Sequence, residues 1–183
     1  MAIPNPGVAA PAAGRDSGVP GTAEQVVTAM VAAGVDLAVY LPDSVLLPVT
    51  SRLERAPEIR TIVCTREDEG AAIAAGASLA GSAAVALMEG SGVGYCGLIL
   101  ARALLQRAGF LVIASHSPAL GEAFDYHAAS RMAGAGVLRG LGIPTVIPRS
   151  AEELVTVVSQ GLVTVRGQRT VVGVLVPPFV LAS

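Results

Sequence analysis

The 183-residue chain contains no tryptophan, and only 3% of its residues are aromatic and 14% charged. It also contains no lysine, so all 12 of its basic residues are arginine. The absence of lysine excludes catalysis through a lysine Schiff base and phosphate binding by a Walker-type loop, since both need that amine. The formal net charge of -2 provides no basic surface for nucleic acid, so we expect no nucleic-acid partner.

Long hydrophobic runs are missing as well. The C-terminal apolar stretch 171–182 is interrupted by two consecutive prolines, so no segment is predicted to span a bilayer and no membrane partner is expected. The N-terminal residues are rich in proline, glycine and alanine, without the basic start and apolar run of a signal peptide. We therefore predict a disordered tail over residues 1–21 and a single domain over residues 22–183.

The two cysteines, Cys64 and Cys96, match no metal-binding or redox spacing. We expect both to be core residues of a cytoplasmic protein, and we expect no metal ion held by this chain alone. Hydrophobic residues make up 52% of the sequence, which leaves little polar surface for a monomer. This composition predicts that other chains cover part of the surface, in a homo- or hetero-oligomer.

Short apolar segments alternate along the chain with segments of helical pattern. We predict helix N-caps at Thr22, paired with Gln25, at Thr65, and at Ser150, paired with Glu153. The alternation predicts parallel strands joined by helical crossovers, and the continuously apolar strands predict helices on both faces. The predicted fold is α/β, a doubly wound and mostly parallel sheet of about six strands. These strands are predicted at 37–41, 59–64, 83–88, 110–114, 145–147 and 170–176.

Polar side chains follow the predicted strand ends, where a doubly wound sheet binds its ligands. Asp43 and Ser44 follow the first strand, and Glu67 follows the second. His116 follows the fourth strand, and His127 stands shortly beyond it. Because the carboxyl ends of parallel strands share one edge, we expect these side chains to contribute to one site.

Three acidic residues, Glu67, Asp68 and Glu69, open the helix after the second strand. Acids at a helix N-terminus are stabilised by the helix dipole, and this is the interpretation we adopt for Glu69. Glu67 comes directly after the strand and ahead of a helix of small residues, which predicts close packing and burial. We therefore interpret Glu67 as functional.

The segment 92–97 matches the pattern G-x-G-x-x-G after a strand and at the start of a helix. This pattern is typical of a dinucleotide-binding turn, and its backbone N–H groups are available to a ligand. It falls here in the third βα unit rather than the first, and no acid ends the next strand. A nicotinamide-dependent oxidoreductase is therefore an alternative reading of this loop.

Three motifs resemble those of one enzyme family in order and spacing. The segments 65–70 (TREDEG), 41–44 (LPDS) and 89–94 (EGSGVG) are similar to segments of phosphonopyruvate decarboxylases and of sulfopyruvate decarboxylase alpha subunits. These are thiamine-diphosphate enzymes, and the resemblance is to their pyrimidine-binding domain, over residues 22–176. It implies a decarboxylase that acts on a 2-oxo acid such as sulfopyruvate or phosphonopyruvate.

The resemblance also implies roles for the strand-end residues. Glu67 would hydrogen-bond the pyrimidine ring of thiamine diphosphate and activate the cofactor. His116 and His127 would act in catalysis, and Asp43 and Ser44 would bind substrate. Further contacts to the cofactor are implied for Ser91, Gly92 and Gly94.

Two departures from the family pattern stand near the glycine loop, where Gly90 and Tyr95 replace asparagines. The Gly-Asp-Gly segment with which the family holds Mg²⁺ and the diphosphate does not occur in these 183 residues. The resemblance therefore implies a partner subunit that carries the Mg²⁺ and diphosphate site. A carboligase subunit and a non-catalytic interaction subunit are the other readings of the resemblance.

Overall fold

The structure, a computed structural model, describes residues 20–117 and 125–182. Within these residues the strands are Leu37–Tyr40 (β1), Arg60–Val63 (β2), Ala84–Met88 (β3), Leu111–Ser115 (β4), Thr145–Val146 (β5) and Val172–Val176 (β6). The helices are Thr22–Ala32 (α1), Leu47–Leu53 (α2), Glu67–Leu79 (α3), Gly97–Gln106 (α4), Ala128–Gly140 (α5), Ala151–Gln168 (α6) and Pro178–Leu181 (α7). Two 3₁₀ turns, Gly92–Cys96 and Asp125–His127, precede α4 and α5.

All six predicted strands are present and form one parallel sheet in the order β2-β1-β3-β4-β6-β5. β1 pairs with both β2 and β3, with Leu37 opposite Arg60 on one side and Ala84 on the other. The direction in which strands are added therefore reverses between β1 and β3. The predicted doubly wound α/β sheet is confirmed, and the crevice beside this reversal is the expected ligand site.

Helices cover both faces of the sheet, as the uninterrupted apolar strands predict. One core lies under α1, α2 and α6, with Met30, Leu53 and Val158 fully buried. The other lies under α3, α4 and α5, where α3 buries only small side chains such as Ala71 and Ala74. Because those side chains are small, α3 approaches the sheet closely, and its first turn lies near the strand ends.

The start of α1 differs from its prediction. Gly21, rather than Thr22, is the N-cap, and Thr22 is the first helical residue and is buried. Gln25 donates its side-chain amide to Pro20 O over 2.7 Å. The capping box predicted for Thr22 and Gln25 is therefore wrong, because the helix begins one residue earlier than that box requires.

The starts of α3 and α6 give one correction and one confirmation. Arg66 occupies the N-cap position predicted for Thr65. The backbone N–H and the hydroxyl of Thr65 instead donate to Glu69 Oε2, over 2.9 and 3.0 Å. The cap at Ser150 is confirmed, since its hydroxyl accepts from the Glu153 backbone N–H over 3.1 Å.

Two further observations concern the ends of the chain. The two prolines after β6 begin α7, a short helix that we did not predict. Proline can begin a helix because it is compatible with the first helical turn. Among the described residues, no helix has the length and hydrophobicity needed to cross a membrane. The tail predicted for residues 1–21 lies almost wholly outside the described residues and stays a prediction.

Candidate active site

A pocket of about 380 Å³ opens at the carboxyl edge of the sheet, beside the reversal between β1 and β3. The ends of β1, β3 and β4 and the starts of α3 and α5 contribute to it. Five residues that we predicted for a common site line it together, namely Asp43, Ser44, Glu67, His116 and His127. The remaining lining residues are Leu41, Pro42, Val45, Glu89, Ser115, Ser117, Ser130 and Pro178.

Asp43 lines the pocket with both carboxylate oxygens engaged. Its Oδ1 accepts from the backbone N–H groups of Val45 and Leu46, each over 2.9 Å. Its Oδ2 accepts from the Ser115 hydroxyl over 3.0 Å. Burial raises the pKa of Asp43, these hydrogen bonds oppose that shift, and the nearby Glu89 carboxylate adds to it, so the pKa is raised overall. Asp43 therefore fixes the turn after β1 to the end of β4.

This raised pKa predicts opposite pH dependences for two Asp→Asn variants. The folded-state pKa of Asp43 is raised above the ordinary 3.8, so the unsubstituted protein loses stability as the pH rises from 3.8 to that raised pKa. Asp43→Asn has no such carboxyl, so its stability relative to the unsubstituted protein should increase over the same interval. The bidentate pairing with Arg66 lowers the pKa of Asp68, so Asp68→Asn should increasingly lose relative stability above its folded pKa. Urea unfolding between pH 2 and pH 7 measures both, because the stability change from Asp68 lies below pH 3.8, and equal slopes for the two variants would contradict the assignment.

Gly90 lies at a close approach between the end of β3 and α5. Its backbone N–H donates to Ser115 Oγ over 3.2 Å, and Ser130 Oγ donates to Ser115 O over 3.2 Å. A Cβ at position 90 would stand 2.2 Å from Ser115 O and 2.3 Å from Ser130 Oγ. The asparagine expected from the family pattern therefore does not fit here, because the end of β4 and α5 both pack directly against this backbone.

Gly90→Ala should destabilise the fold by about 1–3 kcal/mol, because the added methyl meets a backbone oxygen that cannot rotate away. Gly76→Ala is the matched control in α3, since a Cβ there has nothing within 4 Å. That change should raise stability by roughly 0.5–1 kcal/mol through helix propensity. Chemical denaturation of both variants measures the difference, and a neutral Gly90→Ala would show that α5 is free to move.

Glu67 is the first residue of α3 and is half-buried at the pocket wall. Its side chain lies directly against Gly92, where a Cβ would stand 2.1 Å from Glu67 Cδ and 2.2 Å from Oε1. Gly92 therefore leaves the space that the Glu67 carboxyl occupies. The backbone of Gly92 has no positive φ, so only this contact requires glycine there.

The glycine loop packs on protein atoms, and Ser91, Gly92 and Gly94 are not among the residues that line the pocket. Ser91 Oγ donates to the Glu89 carboxylate. A Cβ at Gly94 would lie 3.4 Å from Ala133 Cβ, in ordinary contact with α5. The predicted cofactor contacts of these three residues stay predictions, whereas the structure shows their contacts within the chain.

The charged residues on either side of Glu67, Arg66 and Asp68, pair with each other. Arg66 pairs with both carboxylate oxygens of Asp68, over 2.9 and 3.0 Å, and its guanidinium lies 5.6 Å from the ring centre of Tyr95. Tyr95, which replaces a family asparagine, is exposed. The guanidinium of Arg66, the residue before Glu67, therefore pairs with the carboxylate of Asp68.

His116 is 7% exposed and is anchored by its backbone N–H, which donates to Val176 O over 2.9 Å. Its ring Nδ1 has no hydrogen-bond partner within the described residues. Burial lowers the pKa of His116, and the positive charges of Arg131 and Arg139 lower it further, so the ring is neutral at pH 7. A neutral imidazole with an unpartnered nitrogen in a pocket is suited to proton transfer.

Among the described residues, Asp43, Glu67 and Glu89 line the pocket and no arginine does, so this lining is acidic. Glu89, directly after β3, was not assigned to the site from the sequence, although the position after a strand was the same signal that indicated Asp43. Ser130 and Pro178 are brought to the pocket only by tertiary packing. In the described part of the chain, no three acidic, histidine or cysteine side chains converge closely enough to hold a metal ion.

Comparison with known proteins adds two findings. The family described as thiamine pyrophosphate enzyme, N-terminal TPP binding domain, matches residues 20–135. The sulfopyruvate decarboxylase subunit alpha of Methanothermobacter thermautotrophicus is 35% identical over 133 residues, which cover 72% of this chain and 81% of that protein. The family match includes β1, α3 and β3, from which much of the pocket is built.

Proposed function

Because the chain belongs to the thiamine pyrophosphate enzyme family through its N-terminal TPP-binding domain, we propose that it is the pyrimidine-domain subunit of a two-subunit 2-oxo-acid decarboxylase. The observation that carries the proposal is the position of Glu67. Its carboxyl is held against Gly92 at the wall of the pocket, beside the reversal of strand order. A carboxyl at that point is available to a ring nitrogen of a bound cofactor.

The pocket fits one part of thiamine diphosphate and opposes another. An aminopyrimidine ring is neutral and carries N–H donors, so the carboxylates of the pocket suit it, and about 380 Å³ is room enough for such a ring. A diphosphate would meet three carboxylates and no arginine among the lining residues. We therefore assign the diphosphate and Mg²⁺ to the partner subunit.

When bound, thiamine diphosphate supplies a thiazolium carbon that adds to the carbonyl of a 2-oxo acid and accepts the electrons released with carbon dioxide. In this chain, Glu67 would share a proton with the pyrimidine ring through its carboxyl oxygens. His116, neutral and unpartnered at Nδ1, would transfer a proton near the substrate. His127 lines the same pocket and is assigned to the same step. Asp43 would keep Ser115 and the β1 turn in place.

The substrate is proposed to be a small 2-oxo acid with a second anionic group, similar to sulfopyruvate or phosphonopyruvate. The support is the name of the relative, sulfopyruvate decarboxylase subunit alpha. Asp43 uses its oxygens within the protein, and Ser44 offers an exposed hydroxyl at the pocket. Since the pocket is acidic, we assign the cations that neutralise such a substrate to the partner subunit.

An exposed apolar surface supports the proposal of a partner. Tyr95, Leu98 and Leu105 on the 3₁₀ turn and α4 are 69%, 65% and 86% exposed, and Met132 on the adjacent α5 is 72% exposed. Large apolar side chains grouped in this way are typical of surfaces that other chains cover. A hetero-oligomer, with further copies of this chain, is the assembly that we propose.

A cytoplasmic setting is part of the same proposal. Both cysteines are free and buried, and burial raises the pKa of the Cys96 thiol to about 12. A thiol with so high a pKa is unreactive at neutral pH and has no role in the proposed chemistry.

The nicotinamide alternative is not favoured by the glycine loop. Its first glycine is covered by Glu67 and its second lies against Ala133, so the loop backbone contacts side chains of the same chain. No specific observation supports a dinucleotide at this position, and we retain the nicotinamide cofactor only as a control ligand.

We expect the purified chain to show no tight binding of thiamine diphosphate and Mg²⁺ in calorimetric titration and no release of carbon dioxide from 2-oxo acids. Both should appear when a partner subunit with the diphosphate site is added. NAD should not raise the melting temperature of the chain. If NAD did bind, a hundredfold excess over its Kd would stabilise the folded chain by about 2.7 kcal/mol. Turnover by the chain alone would overturn the two-subunit proposal, and stabilisation by NAD would favour the oxidoreductase.

A further inference from the structure

A second pocket, of about 370 Å³, lies at the amino edge of the sheet, opposite the acidic pocket. Helices that connect parallel strands run antiparallel to those strands. The carboxyl-terminal ends of α1, α3, α4 and α6 therefore lie at this edge. The pocket is lined by Arg107, Arg166 and Arg169, together with the hydroxyl residues Ser78 and Ser82, and no acidic residue of residues 20–117 and 125–182 lines it. Three of the chain's 12 basic residues therefore converge on one cavity.

Two of these arginines hold an unfavourable backbone conformation. Arg107 and Arg169 end α4 and α6 with φ of 56° and 50°, and they are the only non-glycine residues with positive φ in the described part of the chain. Glycine is the preferred residue at such a position, and this chain uses it at Gly34 and Gly142. Arginine at both positions, lining the same pocket, indicates that the side chains themselves serve a purpose.

Compensation of a helix dipole is observed for one of the three arginines. Arg166 does act on a helix end, since its Nη2 donates to Ala33 O at the end of α1. No carboxylate of the described residues forms a salt bridge with Arg107, Arg166 or Arg169. Their positive charge is thus not neutralised by an acidic neighbour.

We propose that this pocket binds a small phosphorylated molecule. Guanidinium groups offer paired N–H donors that match phosphate oxygens, and the two serine hydroxyls add further donors. The volume lies at the lower end of the range for small-molecule sites, which fits a compact ligand with one or two phosphate groups. This site is independent of Glu67 and of the proposed decarboxylation.

The test is titration of the full chain with inorganic pyrophosphate at constant ionic strength, followed by calorimetry. We expect saturable binding at one site, and weakening on the order of tenfold or more in Kd for each guanidinium removed. The variant Arg107→Gly with Arg169→Gly should abolish measurable binding. Because glycine suits a left-handed backbone, its melting temperature should equal or exceed that of the unsubstituted chain.

Arg102→Ala is the matched control, since Arg102 is exposed on α4 outside the pocket, and it should bind pyrophosphate normally. The double variant Arg107→Asn with Arg169→Asn also tolerates positive φ, and it provides a second folded variant without these two charges. The proposal is overturned if the unsubstituted chain shows no saturable binding, if Arg102→Ala weakens binding equally, or if the Gly or Asn pair retains it. Glu67→Gln should leave pyrophosphate binding unchanged, which separates this site from the acidic pocket.

Discussion

Glu67→Gln is expected to lower carbon dioxide release by the complete two-subunit enzyme by about a hundredfold or more. Glutamine keeps the size of the side chain and one oxygen acceptor, so it still fills the space beside Gly92. It cannot share a titrating proton with a ring nitrogen, and exchange of the cofactor C2 proton should slow in parallel. Folding and assembly should be nearly unchanged because the shape is preserved.

Glu69→Gln is the control on the same helical turn. Glu69 Oε2 accepts from the backbone N–H and the hydroxyl of Thr65, which ties the end of β2 to α3 outside the pocket. This variant should lose some stability and keep normal proton exchange. If exchange of the C2 proton is normal in Glu67→Gln but lost in Glu69→Gln, the carboxyl that contacts the cofactor is that of Glu69, two residues further along the chain. Full activity of both variants would remove the thiamine assignment of this pocket.

Gly92→Ala is expected to reduce activity nearly as much as Glu67→Gln, by at least about tenfold, although residue 92 makes no proton transfer itself. The added methyl would stand 2.1 Å from Glu67 Cδ, so the Glu67 side chain must leave its position. The three nearest atoms, Cγ, Cδ and Oε1, all belong to the flexible Glu67 side chain, and the backbone of Gly92 has no positive φ. The melting temperature should therefore change little while carbon dioxide release falls.

Gly97→Ala is the matched control at the start of α4, directly after the same loop, because its methyl would make an ordinary 3.9 Å contact with Val137 Cγ1. Activity should be kept. Combining Gly92→Ala with Glu67→Gln should add little to either single loss, since both act through one carboxyl. Additive losses in the double variant would show that Gly92 contributes separately, for example through its backbone to the cofactor as the sequence pattern indicated.

The sequence predicted the sheet edge at which the site lies, but not every contact within it. Asp43, Glu67 and His116 stand at strand ends, and the parallel arrangement brings them to one pocket. The cap at Thr65 was not predicted correctly, because Thr65 bonds to Glu69, and the contacts of the glycine loop with Glu67 and Ala133 were not predicted at all. Side-chain contacts of this kind depend on distances between elements, which a one-dimensional pattern does not contain.

By itself, the sequence determined the class of the fold and the edge that carries the chemistry. Continuous apolar strands separated by helical segments require a parallel sheet covered on both faces, and strand polarity then places every strand end on one side. Only the tertiary structure decided that Gly92 makes room for Glu67, that the end of β4 and α5 exclude a side chain at Gly90, and that Arg107 and Arg169 meet at the opposite edge. The reason is that periodicity reports which face of an element is buried, whereas the separation of packed elements is decided by side-chain volumes distant in the chain.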